Sequence, residues 1–242
     1  MKHFKKFENI YAYNNYTLSD NYILPNVSVL SDKSVYYKQK IIYDHQIEYL
    51  ESTGTNNKGI QYIETGIIPD ENTGIYIKVL TKGSNGNNDN YIIGCRNDSN
   101  NTRWVIGRSN IGLYYGYGSV SGTHLTFTNA DNYNNLIYES KLNYLNDKKW
   151  FAKYDIYTVE DQIAALSFTP QYNIRLFGSA GITADYTRAA AAIYFVKISQ
   201  GSQIIMDLIP VRKDGIGYMY DKISNKLFEN VGTGAFILGP DI

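Results

Sequence analysis

The sequence predicts an all-β sandwich over residues 46–242, and three observations carry that prediction. About a dozen short runs rich in Tyr, Ile and Val are each bounded by Gly, Asn or Asp, the punctuation of strands and turns. Helical periodicity is almost absent: Arg188-Ala189-Ala190-Ala191-Ala192 has helix propensity but runs straight into β-branched and aromatic residues, which makes it a strand entry. Turn signals recur at the spacing of sandwich and barrel folds. A chain of 242 residues accommodates one large β domain with an appendage.

The appendage comes first. Residues 1–45 contain Asn14-Asn15, Pro25-Asn26 and isolated tyrosines without a sustained period; only Ser34-Val35-Tyr36-Tyr37 and Ile41-Ile42-Tyr43 look like strands. Such a segment cannot close a core alone and is expected to be an arm. The first clear strands of the main domain are Gln61 to Thr65 and Ile75 to Val79. The Asn-rich loop Gly83 to Asn90 follows, then Tyr91 to Gly94. Arg103 to Gly107 and Gly112 to Tyr117 form a predicted hairpin turning at Arg108-Ser109-Asn110. Strands are next predicted at His124–Thr128, Asn135–Glu139, Lys149–Tyr157, Ile163–Phe168 and Asn173–Gly178. Ala191 to Ile198 and Ile204 to Val211 are nearly continuous apolar runs, the pattern of strands covered on both faces. Ile216 to Tyr220 and Ala235 to Leu238 complete the set.

Composition excludes several function classes. Apolar residues at 43% can build a core, and charged residues at 19% argue against disorder. With 23 basic and 23 acidic residues the chain lacks the basic excess of a nucleic-acid binder. The lone Cys95 can form neither an internal disulfide nor a Cys/His zinc site, which suits folding in a reducing cytoplasm or an organism that does not staple its surface proteins. Lys2, Lys5 and Lys6 resemble a signal-peptide n-region, but the polar stretch Tyr13 to Thr17 follows where an apolar core is needed. No run approaches the roughly 18 apolar residues of a membrane span, so a soluble protein without a cleavable address is expected. Tyrosine stands out at 24 residues against nine Phe and two Trp. A recognition surface explains that excess, and so does a compositional bias that raises Tyr, Asn, Ile and Lys together.

The segment Ile193 to Pro240 carries a family resemblance. Its parts are Ile193-Tyr194-Phe195-Val196-Lys197-Ile198, Met206-Asp207-Leu208-Ile209-Pro210-Val211-Arg212, Gly217-Tyr218-Met219-Tyr220-Asp221-Lys222, Asn225-Lys226-Leu227-Phe228, and Gly232 to Pro240. With Ile47 to Gly54 and Gln61 to Gly66, they resemble a concanavalin A-like (laminin-G-like) jelly-roll domain of gut-bacterial phages and prophages. About 195 residues are covered, with a longer Asn-rich insert between Thr53 and Gln61. In the arm, Leu24-Pro25-Asn26-Val27-Ser28 and Tyr36-Tyr37 resemble a short module that precedes varied C-terminal domains in the same proteins. That resemblance implies a virion-anchoring role for those residues; an ordinary Pro-containing turn is the other reading.

The residues offer little for catalysis. Glycoside hydrolysis needs two carboxylates about 5–10 Å apart, and the Glu-x-Asp-x-x-Glu string of glucanases with this fold is missing. Glu48 and Glu51, three apart, lie on opposite faces of a strand, and the adjacent Glu160 and Asp161 diverge. His3, His45 and His124 are scattered, and no phosphate loop occurs. Asp207 inside an apolar strand is expected to pair with a cation such as Arg212. No cofactor is expected. Ca2+ binding is an option the resemblance raises, with Asn87, Asn88, Asp89, Asn90 and Asp98 as hard oxygen donors.

Arg103, Trp104, Tyr114, Tyr115 and Tyr117 on the predicted hairpin are the candidate glycan or partner surface, since aromatic rings stack on sugars and anchor interfaces. Core or a subunit interface is the other reading of each. Together these features lead to the expectation of a non-enzymatic bacteriophage virion protein, a head fibre or capsid decoration, made in the bacterial host cytoplasm and displayed on the virion surface. Its arm would bind capsid or tail proteins, its jelly roll would touch host glycans, and it would form a homo-oligomer, dimer or trimer. The alternatives are a tail-fibre or receptor-binding protein and a bacterial carbohydrate-binding lectin module.

Overall fold

A computed structural model describes residues 5–7, 27–29, 35–37, 43–55, 58–59, 61–82, 90–97, 102–109, 112–118, 124–125, 136–163, 168, 170–181 and 190–242. The chain divides into two compact units, Met1–Ile42 and Tyr43–Ile242. In the first, strands β1 (Lys5–Phe7), β2 (Val27–Val29) and β3 (Val35–Tyr37) form an antiparallel sheet with β3 in the middle. Two of these three strands lie where the sequence shows no strand period.

The second unit opens with the short strands β4 (His45–Gln46), β5 (Leu50–Glu51), β6 (Gly54–Thr55), β7 (Lys58–Gly59) and β8 (Ile63–Glu64). The longer strands are β9 (Thr73–Thr81), β10 (Asn90–Asn97), β11 (Thr102–Ser109) and β12 (Gly112–Gly118), followed by the two-residue β13 (His124–Leu125). Then come β14 (Leu136–Leu142), β15 (Lys149–Tyr154), β16 (Tyr157–Gln162) and β17 (Arg175–Leu176). The chain finishes with β18 (Ala191–Gln200), β19 (Gln203–Lys213), β20 (Ile216–Asp221), β21 (Lys226–Phe228) and β22 (Ile237–Leu238). Among the described residues one short 3-10 turn, Tyr144–Asn146, interrupts the strands.

Two antiparallel sheets result, and the unit is an all-β jelly-roll sandwich. The smaller runs β13-β12-β11-β10-β17-β8, and the larger runs β16-β15-β14-β9-β18-β19-β20-β21. The chain crosses between them repeatedly, so β9 is sandwiched between β14 and β18, strands far from it in sequence. Alternation explains which side chains meet: Ile75, Ile77 and Val79 of β9 are fully buried while Tyr76, Lys78 and Leu80 between them point outward. Both tryptophans are fully buried in the shared core. Trp104 donates its indole N–H to the Thr73 carbonyl at 3.2 Å, and Trp150 to Ser140 Oγ at 3.1 Å. Each polar tip thus has a partner, and each large ring contributes roughly 1.5–3 kcal/mol by burial.

The ends of this unit lie together. Ile47 bridges Asp241, β5 pairs with β22, and the Ile242 N–H donates to the Gln46 carbonyl at 3.1 Å. Fully buried Gln61 joins the same region, donating to Thr53 Oγ1 at 2.7 Å and to the Ala235 carbonyl at 2.8 Å.

Three sequence expectations change. The single strand predicted at Lys149–Tyr157 is a hairpin turning at Asp155-Ile156, where Asp155 takes φ 50°, a left-handed conformation that Asp tolerates. Neither apolar run is covered on both faces: Tyr194, Phe195 and Lys197 of β18 are half-buried, and β19 alternates, with Asp207 and Ile209 half-buried between buried Met206, Leu208 and Pro210. Asp207 pairs with Lys222 at 2.8 Å, across the β19–β20 hairpin end, while Arg212 pairs with Asp241 at 2.8 Å. The expected turn around Asp221 and Asn225 is present, with Asn225 at φ 57° and the Asp221 carboxylate accepting from the N–H groups of Asp207, Ile223 and Ser224.

Candidate functional site

The aromatic hairpin nominated from sequence sits inside the molecule. On β11 and β12, Trp104, Tyr115 and Tyr117 are 0%, 4% and 1% exposed and belong to the central core. Tyr115 packs on Trp150 at 4.6 Å between centroids, and Tyr117 on Phe168 at 4.7 Å. Tyr114 points to the opposite face but is still 3% exposed, in a second buried cluster with Tyr91 and Val105. Its ring lies over Gly107, where an added Cβ would fall 2.5 Å from the hydroxyl-bearing carbon, so glycine is required there. Half-buried Arg103 lies along Gly116 in the same way. The small sheet is therefore covered on both faces at this hairpin, and none of its four rings offers a face to a sugar.

The large sheet differs: its outer face carries half-buried and exposed aromatic and charged residues in two cross-strand rows. Register aligns Glu160 of β16, Phe151 of β15, Lys141 of β14, Tyr76 of β9, Lys197 of β18 and Asp207 of β19 in one row. Six neighbouring strands span about 24 Å at a strand spacing near 4.8 Å. The adjacent row is Thr158, Lys153, Glu139, Lys78 and Phe195. At Phe195 the β18–β9 register shifts, and this bulge turns Tyr194 outward as well.

These side chains interlock. Tyr76 meets the ring of Phe195 edge-on at 4.8 Å and that of Tyr144 at 5.6 Å; Tyr194 meets Tyr49 at 5.6 Å. The Lys141 ammonium stands over Tyr76 at 4.9 Å and over Phe151 at 5.6 Å, and Lys78 over Tyr194 at 5.2 Å, within the range of cation–π attraction. Tyr76 donates its hydroxyl to Glu139 Oε2 at 2.6 Å; burial and this bond push the phenol up to about 12. Beside the rows lies an open depression of about 530 Å3, lined among others by Lys78, Ile137, Glu139, Lys153, Tyr154 and Asp155.

The turn that brings Tyr144 to this face is held in unusual geometry. Asn143, Leu145, Asn146 and Lys148 have φ of 49°, 56°, 62° and 54°. Such residues persist only where their surroundings fix them. Buried Asn143 supplies the fixing, donating from Nδ2 to the Glu71 carbonyl at 3.0 Å and the Thr73 carbonyl at 3.3 Å, and accepting from the Lys148 N–H at 3.2 Å. Gly74 permits this contact, since a Cβ there would lie 2.1 Å from the Asn143 carbonyl oxygen.

Of the arm residues nominated for anchoring, Val27 and Ser28 pair in register with Tyr37 and Tyr36, so the two halves of the motif are hairpin neighbours. Leu24, Pro25 and Asn26 lie outside the described residues, as do Asn87, Asn88, Asp89 and Asp98 of the calcium option. Among the described residues no His/Cys/Asp/Glu group is arranged to hold a metal ion. Glu160 and Asp161 do diverge, the first to Lys149 on the outer face and the second to the Tyr115 hydroxyl. Glu51 is engaged by Lys82, and Glu64 by Arg175. Cys95 is fully buried, and burial pushes its thiol up to about 12.

No protein-family model matches the chain, and no curated protein matches its sequence. Solved structures do share the fold. A candidate carbohydrate-binding protein from Bacteroides ovatus superposes with a TM-score of 0.53 at 11% identity, covering 88% of this chain and 65% of that one. The full extracellular region of zebrafish Gpr126/Adgrg6 gives 0.51 at 9% identity, covering 86% of this chain and 28% of that one. The chain thus spans less than two thirds of the length of either. At these identities the likeness is one of fold: an all-β sandwich of the jelly-roll kind.

Proposed function

We propose that residues 43–242 form a non-catalytic carbohydrate-binding module whose binding surface is the outer face of the large sheet. The observation that carries this reading is the pair of cross-strand rows through Phe151, Lys141 and Tyr76, and through Glu139, Lys78 and Phe195. They combine half-buried rings with fixed hydrogen-bonding groups on rigid strands, as saccharide recognition requires. The shared fold with a candidate carbohydrate-binding protein supports it. Glycan-array screening followed by calorimetry tests it: Phe195→Ala and Tyr144→Ala should weaken binding at least about tenfold, a loss of roughly 1.4 kcal/mol. An array without signal, or variants that bind as the parent does, refutes it.

A finer reading rests on the sequence resemblance: the module is mounted on a bacteriophage particle, as a head fibre or capsid decoration, through residues 1–45. The pairing of Val27-Ser28 with Tyr36-Tyr37 fits a single docking element made of both motif halves. A homo-oligomer on the virion surface would multiply weak contacts with host glycans. Full-length protein should bind virus particles and a form lacking residues 1–45 should not; equal binding by both overturns the mounting.

A further inference from the structure

We infer that the outer face of the large sheet selects an acidic saccharide, one bearing carboxylate or sulfate groups. This rests on the carbohydrate-binding reading and specifies its ligand class.

The inference follows from what occupies the rings. A module for neutral sugars presents bare aromatic faces on which the apolar side of a pyranose stacks. Here the faces of Tyr76, Phe151 and Tyr194 are taken by the ammonium groups of Lys141 and Lys78. The rings therefore act as supports that hold two cations at a fixed height on the sheet. A flexible lysine normally loses side-chain entropy when it binds; these two have given up part of that freedom already, so a ligand meets them pre-organised.

The cations are also not consumed by the protein. Lys149 is paired with Glu160 and Lys222 with Asp207. Lys78, Lys141, Lys153 and Lys197 form no ion pair among the described residues. Glu139 stands directly between Lys78 and Lys153 in register, the position from which it could neutralise both. Its carboxylate accepts the Tyr76 hydroxyl at 2.6 Å and forms no ion pair with either lysine, so it remains one negative charge set between two ammonium groups. Lys78 and Lys153 thus remain available at the mouth of the depression they line, while Glu139 can accept hydrogen bonds from sugar hydroxyls. Against the four lysines stand the carboxylates Glu139, Asp155 and Asp147, the last within electrostatic reach of Lys141, so the cations are in excess by one and complementarity favours an anion carried on a polyhydroxylated body.

The test uses the full chain and compares polygalacturonate, alginate, hyaluronate and chondroitin sulfate with fully methyl-esterified polygalacturonate and dextran, with poly-glutamate as a polyanion without sugar. The expected result is binding to at least one acidic glycan, weakened by added salt and absent for the esterified polymer. Lys78→Gln and Lys141→Gln should each lower that affinity about tenfold, and Lys226→Gln, on the exposed strand β21, should not. Unchanged thermal unfolding of the lysine variants excludes misfolding as the cause. Salt-independent binding to dextran or the esterified polymer overturns the acidic selectivity and leaves the carbohydrate reading standing. Binding of poly-glutamate as tight as any acidic glycan also overturns it, showing bare charge attraction. No binding to any polysaccharide overturns both readings.

Discussion

Replacing Asn143 should destabilise the sandwich by an amount that separates its hydrogen bonds from its backbone geometry. In Asn143→Ala the Nδ2 bonds to the Glu71 carbonyl at 3.0 Å and the Thr73 carbonyl at 3.3 Å, and the Oδ1 bond from the Lys148 N–H at 3.2 Å, are lost. The Glu71 carbonyl keeps the Tyr117 hydroxyl at 2.6 Å and the Thr73 carbonyl keeps the Trp104 indole at 3.2 Å, so neither acceptor is orphaned. The two Nδ2 bonds, to carbonyls that keep other donors, count together as about one net hydrogen bond and the Lys148 bond as a second, a cost of about 2 kcal/mol. Holding Ala rather than Asn at φ 49° adds about 1 kcal/mol. The expected loss for Ala is about 3 kcal/mol, or about 6–12 °C in Tm for a domain of this size. Asn143→Gly has no Cβ to strain and should lose only about 2 kcal/mol. Asn143→Asp keeps the shape but turns a carboxylate toward two carbonyl oxygens, and should be worse than Ala at pH 7. Denaturant titration followed by the fluorescence of buried Trp104 and Trp150 measures all three. If Ala and Gly are equally destabilised, the left-handed strain is illusory; if neither moves stability by about 0.5 kcal/mol, the polar lock itself is wrong.

Three further outcomes are expected. Asp221 is buried, which pushes its carboxyl up, but hydrogen bonds from Ser224, Asp207 and Ile223 outweigh that and hold it below the usual range. Its stabilisation is present above the unfolded value near about 3.9 and is lost as pH falls through the lower folded value. Asp221→Asn should thus cost about 1–3 kcal/mol at pH 7, the gap to the parent closing below about pH 4 in denaturant titrations; a gap constant from pH 7 to 3 contradicts this. Cys95, with its thiol pushed up by burial, should resist an aromatic disulfide reagent in the native protein and react fully in denaturant; rapid native labelling refutes its burial. Trp150→Phe should leave Ser140 Oγ without its indole donor, so Trp150→Phe/Ser140→Ala should be less destabilised than the two single losses added together, read by thermal unfolding.

Much of the architecture was legible because period-two alternation and turn residues act over a few positions. Ile75 to Val79, Ala191 to Ile198 and the Asp221–Asn225 turn fall where the pattern puts them. The hairpin at Asp155 was hidden because Asp can adopt positive φ without the Gly that usually marks such a turn. The aromatic hairpin was expected at the surface for a different reason. Alternation tells that Trp104 and Tyr114 point to opposite faces, but not that both faces of that sheet are covered. Conversely, Ile75-Tyr76-Ile77-Lys78-Val79 and Tyr138-Glu139-Ser140-Lys141 already show ring and charge on the outer side. What sequence cannot supply is the register that sets Lys141 beside Tyr76, 65 positions earlier by number.

The adjacency of residues 43–48 and 239–242 has a mechanical consequence. The Ile47–Asp241 bridge and the β5–β22 pairing close the unit like a ring with a clasp. Traction applied between the two ends loads that clasp first and, through the β4–β19 and β5–β18 pairings, the edge it shares with the large sheet. Joining the ends by a short linker would therefore permit new ends at the exposed Asp155-Ile156 turn, on the far side of the large sheet's strand order from the clasp.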